Sequence, residues 1–215
     1  MILQLQYIQI SVYRCGSLLT KFYTMDLRCF IAIRITDQIK REIGELIDIL
    51  IKYDVDIKWL ILENIHLTLK FLGKTPDVLI PKIKESLLNI VSSYEPFYIK
   101  ICKTGVFPNR KHPRVIWVGV EDSEILIKLK RDIENSMEFL GYQKEDKEFK
   151  PHLTLGRVRS QKGIVHIVNE LDHFKGKEFG IIHIDRIKLM KSEIKPKGAE
   201  YSCLHEIPFS RKKLA

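Results

Sequence analysis

ENIHLTLKFLG at residues 63–73 and KPHLTLGRV at 150–158 share one tetrad, HLTL, at 66–69 and again at 152–155. Shuffling a chain of this composition produces an HLTL on the order of 0.003 times, so two copies need a cause. Both stretches have the look of β-strands, and a strand has period two. His66, Thr68 and Lys70 then share one face, with Ile65, Leu67, Leu69 and Phe71 on the other. In the second copy His152 and Thr154 share a face, and Leu153, Leu155 and Arg157 take the opposite one. The leucines are core, so the His and Thr side chains face water or a cleft. A single His-x-Thr reads most simply as a solvated polar face; a matched pair reads as a site.

Two imidazoles near neutral pKa can divide acid–base work, one taking a proton while the other gives one. Each paired Thr offers a hydroxyl that can donate to a phosphoryl oxygen. That set suits in-line displacement at a phosphodiester, with no nucleophilic side chain. Zinc is the competing reading. It needs three or four His, Cys or carboxylate ligands, and Thr is a poor one. His112, His166, His173, His183 and His205 lack zinc-like spacing, and Cys15, Cys29, Cys102 and Cys203 are scattered without a CxxC. No metal is expected. GxxxxGK[ST] and GxGxxG are both absent, so no nucleotide-cradling loop and no cofactor are expected either.

Outward from the tetrads, the periodicity predicts helices and strands in alternation. Thr36 or Asp37 caps a helix with Ile39, Ile43, Leu46, Ile47 and Leu50 on one face. Thr75-Pro76 reads as an N-cap with Pro at the first helical position, followed by Ile80, Ile83, Leu87 and Ile90. Asp122 or Ser123 starts a third helix, which Gly141 closes, and a weaker fourth runs through 162–172. Strands are expected at 28–35, 57–61, 65–72, 97–104, 114–120, 151–158, 180–191 and near 200–207. The layout is α+β: two similar half-units whose tetrads face one shared cleft. Residues 1–24 read as an extension outside the core, with Met25 as the natural start and 25–215 as one domain. The competing reading is an extra strand, because LQLQYIQI alternates.

The net charge of +9 points to an anionic partner such as nucleic acid, or to a lysine-rich surface. No apolar run reaches membrane-spanning length. Scattered cysteines read as reduced thiols of a cytoplasmic protein.

The segments FIAIRI, ENIHLTLKFLG, GVFPN, RVIWVGV, PHLTLGRV and LMKSEIKPKGAEY, in this order, resemble the RNA 2',3'-cyclic phosphodiesterases, or 2'-5' RNA ligases, of the 2H phosphoesterase superfamily. The similarity runs from about Met25 to about Phe209. It implies a bilobal α+β fold, antiparallel sheets around a central cleft and helices outside. It implies hydrolysis of a terminal 2',3'-cyclic phosphate on RNA, tRNA fragments among the candidates, to a 2'-phosphate end, with 2'-5' ligation as the reverse and a monomer as the working unit. By the same resemblance His66 is the proton donor to the leaving 3'-oxygen and His152 the acceptor from the attacking water. Thr68 and Thr154 would hold phosphoryl oxygens. Phe71 and Arg157 would flank the terminal base, although strict alternation turns both away from the histidines. Lys70, on the His66 face, is a candidate to attract RNA phosphate. A 2H phosphodiesterase acting on another small cyclic nucleotide or oligonucleotide, and an idle RNA-binding protein, remain the alternatives.

Overall fold

The computed structural model describes residues 8–15, 18–121, 123–196 and 198–210, with side chains from residue 24 onward. Ten strands and four α-helices run β1 (Ile8–Cys15), β2 (Leu18–Arg34), α1 (Asp37–Leu50), β3 (Ile57–Trp59), β4 (His66–Pro76), α2 (Ile80–Val91), β5 (Phe97–Phe107), β6 (Val115–Val120), α3 (Glu124–Phe139), β7 (His152–Val158), α4 (Ile164–His173), β8 (Glu178–Ile184), β9 (Arg186–Lys195) and β10 (Gly198–Pro208). A strand–helix–strand–helix–strand unit occurs twice, as β2-α1-β4-α2-β5 and as β6-α3-β7-α4-β8, with the short β3 inserted before β4.

The sheet order is β10-β9-β2-β4-β7-β6-β5-β8. Two antiparallel groups therefore lie side by side, and their inner strands are the two HLTL strands. β4 and β7 meet through the pair Leu67–Leu153. The units exchange parts: β5 of the first pairs with β6 of the second, and β9, which comes after the second, pairs with β2 of the first. Helices cross over too, with α1 packing on β8 and α3 on β4. Leu67, Leu69, Leu153 and Leu155 are buried in the common core beneath the motif strands.

The local rules that shape the helices hold at most ends. The Thr36 hydroxyl accepts from the Ile39 N–H at 3.3 Å and caps α1, whose buried residues are the five expected. The Ser123 hydroxyl does the same for α3 through the Leu126 N–H, and Gly141, at φ +89°, ends that helix. Thr75-Pro76 is a correction. Both residues extend β4, paired with Leu27 and Asp26, and α2 starts only at Ile80 after a 3-10 turn. The β2 edge competes for this segment and wins over the capping signal. The expected strand 180–191 is also two strands, because β8 pairs with β5 and β9 with β2, in different groups, and the chain turns at Asp185. Residues 8–15 do form a strand, paired with residues 18–25 of β2 from Ile8–Met25 to Cys15–Leu18. Pairing of β2 with β4 begins at Asp26, so the N-terminal hairpin lies along the extension of a core strand. The rest of the expected extension, residues 1–7 and 16–17, and Asp122 lie outside the described residues.

Candidate active site

Leu67 faces Leu153 in an antiparallel register, which sets His66 across from Thr154 and Thr68 across from His152. The four polar side chains project to the face opposite the two leucines. Each side chain is half-buried, and all four line one cleft of about 410 Å³. A pseudo-twofold axis through the leucine pair thus relates the two tetrads.

Each tetrad carries a β-bulge at the same position. In β4 the partners step from Thr68–Ala32 to Lys70–Ile31, so Leu69 is the extra residue. In β7 they step from Thr154–Trp117 to Gly156–Ile116, so Leu155 is the extra residue. A bulge resets the alternation by one residue. Phe71 and Arg157 are thereby turned to the cleft side, and both line the cavity with the histidines. Phe71 is 61% exposed there. Regular alternation had sent both residues the other way.

The same reset takes Lys70 out of the cleft, which corrects its expected place as a phosphate contact. It is fully buried, bonded to the Glu134 carboxylate of α3, and donates to the Gln143 carbonyl at 2.8 Å. Lys130 binds the same Glu134 and reaches Glu145 at 3.2 Å. In β7 the equivalent inward position is Gly156. A Cβ there would sit 2.8 Å from Ile57 Cγ2 and 2.9 Å from Trp59 Cε3, because β3 pairs alongside β7 with Trp59 opposite Gly156.

Both histidines are oriented alike. His66 Nδ1 lies 2.8 Å from the Asn64 carbonyl, and His152 Nδ1 lies 2.7 Å from the Lys150 carbonyl. A carbonyl only accepts, so Nδ1 carries the proton and a neutral ring keeps its Nε2 lone pair. Phe30 stacks on His66 at 4.7 Å, and Tyr201 meets its edge at 5.3 Å. Phe107 stands edge-on to His152 at 4.9 Å and is itself backed by Trp117 at 5.1 Å. Gly105 makes room for that indole, since a Cβ there would lie 2.3 Å from Trp117 Cζ2. Burial lowers the pKa of both imidazoles, and the carbonyl bonds oppose it only in part. The Arg157 guanidinium pushes His152 further down. Both rings are therefore poised neutral, one beside a cation and one in an aromatic enclosure.

The reading of the tetrads missed Phe30, Tyr201 and Phe107 as neighbours of the histidines. Their signal was present only as membership of FIAIRI, GAEY and GVFPN. Among the described residues no group of three or more His, Cys, Asp or Glu side chains is gathered as a metal site, and no helix is long and apolar enough to cross a membrane. Cys29 and Cys102 are buried free thiols and Cys203 an exposed one.

The model of the 2'-5' RNA ligase superfamily matches residues 62–193, which include both tetrads. A Thermotoga maritima protein named RNA 2',3'-cyclic phosphodiesterase is 34% identical over 183 residues, 85% of this chain and 96% of that protein. A Methanocaldococcus jannaschii protein of the same name is 35% identical over 181 residues, 84% of this chain and 99% of that one. The crystal structure of TT0787 of Thermus thermophilus superposes with a TM-score of 0.74 at 25% identity, covering 87% of this chain and 100% of that one. Escherichia coli LigT shares the fold, with a TM-score of 0.66 at 20% identity over 86% of this chain and 99% of that one. With the paired tetrads on the inner strands of a two-lobed antiparallel sheet, the chain belongs to the 2'-5' RNA ligase superfamily, a branch of the 2H phosphoesterases.

Proposed function

We propose that the chain is an RNA 2',3'-cyclic phosphodiesterase that opens a terminal cyclic phosphate to a 2'-phosphate end without a metal ion. The observation that carries this reading is the pair of histidines in one cleft, each with Nδ1 tied to the carbonyl two residues before it and Nε2 left for proton transfer. The names of the relatives at 34% and 35% identity support the substrate class.

His152 takes the proton from the attacking water, a role that suits the imidazole whose protonation Arg157 opposes. His66 gives its proton to the 3'-oxygen as the P–O3' bond breaks. An anionic phosphate arriving in the cleft favours the protonated form of His66. Thr68 and Thr154 donate to the non-bridging oxygens, and Arg157 balances their charge. Phe71 stacks on the terminal base from the bulged end of β4. With a 5'-hydroxyl in place of water the same steps join two RNAs by a 2'-5' linkage. The proposed partners are RNA fragments with cyclic ends, tRNA fragments among them, met by a monomer in the cytoplasm.

The test is incubation of the purified protein with an oligoribonucleotide ending in a 2',3'-cyclic phosphate, with and without excess chelator. A 2'-phosphate product at equal rates in both is expected. A 3'-phosphate product, or turnover lost in chelator and restored by a divalent ion, contradicts the mechanism.

A further inference from the structure

The catalytic steps use Arg157 and leave the cleft's other arginine, Arg28 of β2, without a task. Arg28 lines the cleft together with His66, Phe71 and Arg157, and among the described residues that line it none is Asp or Glu. Arginines elsewhere are held by carboxylates: Arg34 by Asp37, Arg110 by Asp172, and Arg186 by Asp185 and Glu206. Arg28 is exposed, and among the described residues no carboxylate pairs with it. Its partner across the ladder is Lys74, so two like charges stand directly opposite at this edge of the cleft. Such an arrangement costs stability. An anion arriving beside them offsets that cost.

Arg28 stands beyond the ring that backs His66. Phe30 stacks on His66 at 4.7 Å and lies 6.1 Å from Phe71. The β2–β4 partners step from Cys29–Gly73 to Phe30–Phe71, so the extra residue there, Leu72, belongs to β4 and β2 keeps its alternation. Arg28 therefore projects to the same side as Phe30, two residues or about 7 Å further along the strand. Along the cleft the order is His66, then Phe30 with Phe71, then Arg28. Ser192 of β9 adds a hydroxyl to the lining.

The stereochemistry of a ribonucleotide matches this order. The base and the 5'-carbon stand on one face of the ribose, and the 2'- and 3'-oxygens on the other. A cyclic phosphate between the histidines, with its base on Phe71, sends the 5'-oxygen out on the Phe71 side and away from His66. The next phosphate toward the 5' end then arrives where Arg28 is. A guanidinium takes two oxygens of such a group through paired N–H donors.

We propose that Arg28 binds the phosphodiester on the 5' side of the terminal nucleotide, and so makes the protein select the ends of RNA chains over mononucleoside 2',3'-cyclic phosphates. The inference rests on the cyclic phosphodiesterase reading above. Arg28 touches no atom whose bonds change. It determines specificity, through a charge that the mononucleoside lacks.

The experiment compares hydrolysis kcat/KM on three substrates. One is a nucleoside 2',3'-cyclic phosphate with a free 5'-hydroxyl. The second is a dinucleotide with the same cyclic end. The third is that dinucleotide with a neutral methylphosphonate in place of the internal phosphodiester. Wild type should prefer the native dinucleotide to the methylphosphonate by about ten- to a hundredfold, the range of a hydrogen bond to a charged group. Its preference over the nucleoside should be at least as large. In Arg28→Met the two dinucleotides should react alike, and the loss on the native dinucleotide should exceed the loss on the nucleoside at least about tenfold. Arg28→Lys keeps the charge without the paired donors and should recover part of the preference. For the native dinucleotide, the slope of log kcat/KM against log salt should flatten by about 0.7 in Arg28→Met, the share of one contact to a single strand. Equal turnover of the two dinucleotides by wild type overturns the contact without recourse to any variant. A loss in Arg28→Met that is equal on all three substrates, or no loss at all, overturns it as well. Absence of hydrolysis of every substrate by the wild-type protein is a separate result and sinks the parent reading.

Discussion

At the scale of single residues, the two histidines have the same Nδ1 anchor and differ in what surrounds the ring. Replacing either by Ala should lower hydrolysis by about two to four orders of magnitude, the usual worth of a positioned acid or base. The double variant should fall little below the worse single one, because groups acting as a unit are not additive. Progress curves under single-turnover conditions would expose a retained activity that contradicts this. The pKa directions set the pH profile. Activity on free enzyme needs His152 neutral and His66 protonated, so His152 sets the acid limb and His66 the basic limb. Burial holds both below the ordinary histidine value, and the bell in kcat/KM should therefore centre below about pH 6.5. Arg157 depresses His152 further, so Arg157→Gln should move the acid limb to higher pH, besides lowering the height of the curve. An acid limb that stays or moves down would remove Arg157 from that role. The tetrads themselves were legible because the motif is repeated and periodic. The enclosure around His66 was not, since Phe30 and Tyr201 come from strands that only the folded sheet brings beside it.

At the scale of elements, the paired bulges explain both what sequence alternation predicted and where it broke. His66, Thr68, His152 and Thr154 obey period two, and the rule fails just past the extra residues Leu69 and Leu155, at Lys70 and Gly156. A bulge is a property of the strand pair, here β4 with β2 and β7 with β6, and one strand read alone does not reveal it. The residue just past each bulge is chosen by what it meets there. Lys70 meets Glu134 of α3, and Gly156 lies opposite Trp59 of β3, its neighbour in the sheet. Burial opposes ionisation of Glu134, yet its bonds to Lys130 and Lys70 outweigh that and keep its pKa below the ordinary value. Removing one charge from such a buried set leaves others uncompensated. Glu134→Gln should destabilise the fold by about 3–5 kcal/mol in urea unfolding, and a loss under about 1 kcal/mol would mean the lysines find other partners. Gly156→Ala must displace Ile57 or Trp59, and overpacking of this kind costs about 1–3 kcal/mol. A variant as stable as wild type would show that β3 yields freely.

At the scale of the molecule, the duplication is real but interleaved. Sequence reading supplied two similar units facing one cleft. It did not supply the exchange in which β5 joins the second group and β9 the first, because strand order depends on long-range pairing that period and capping do not encode. The same cause divided the segment 180–191 at Asp185. Residues 8–15 pair with the first part of β2, outside the stretch of β2 that pairs with β4. A protein beginning at Met25 should therefore keep its fold and turnover, and a much lower melting temperature or insolubility would make the hairpin part of the core. The central claim is a division of labour across one cleft, with His66 as acid and His152 as base. Its most direct test replaces the 3'-bridging oxygen of the cyclic end by sulfur, a leaving group that needs no proton. The sulfur substrate should restore turnover to His66→Ala and leave His152→Ala slow; rescue of His152→Ala instead, or of neither variant, would contradict it.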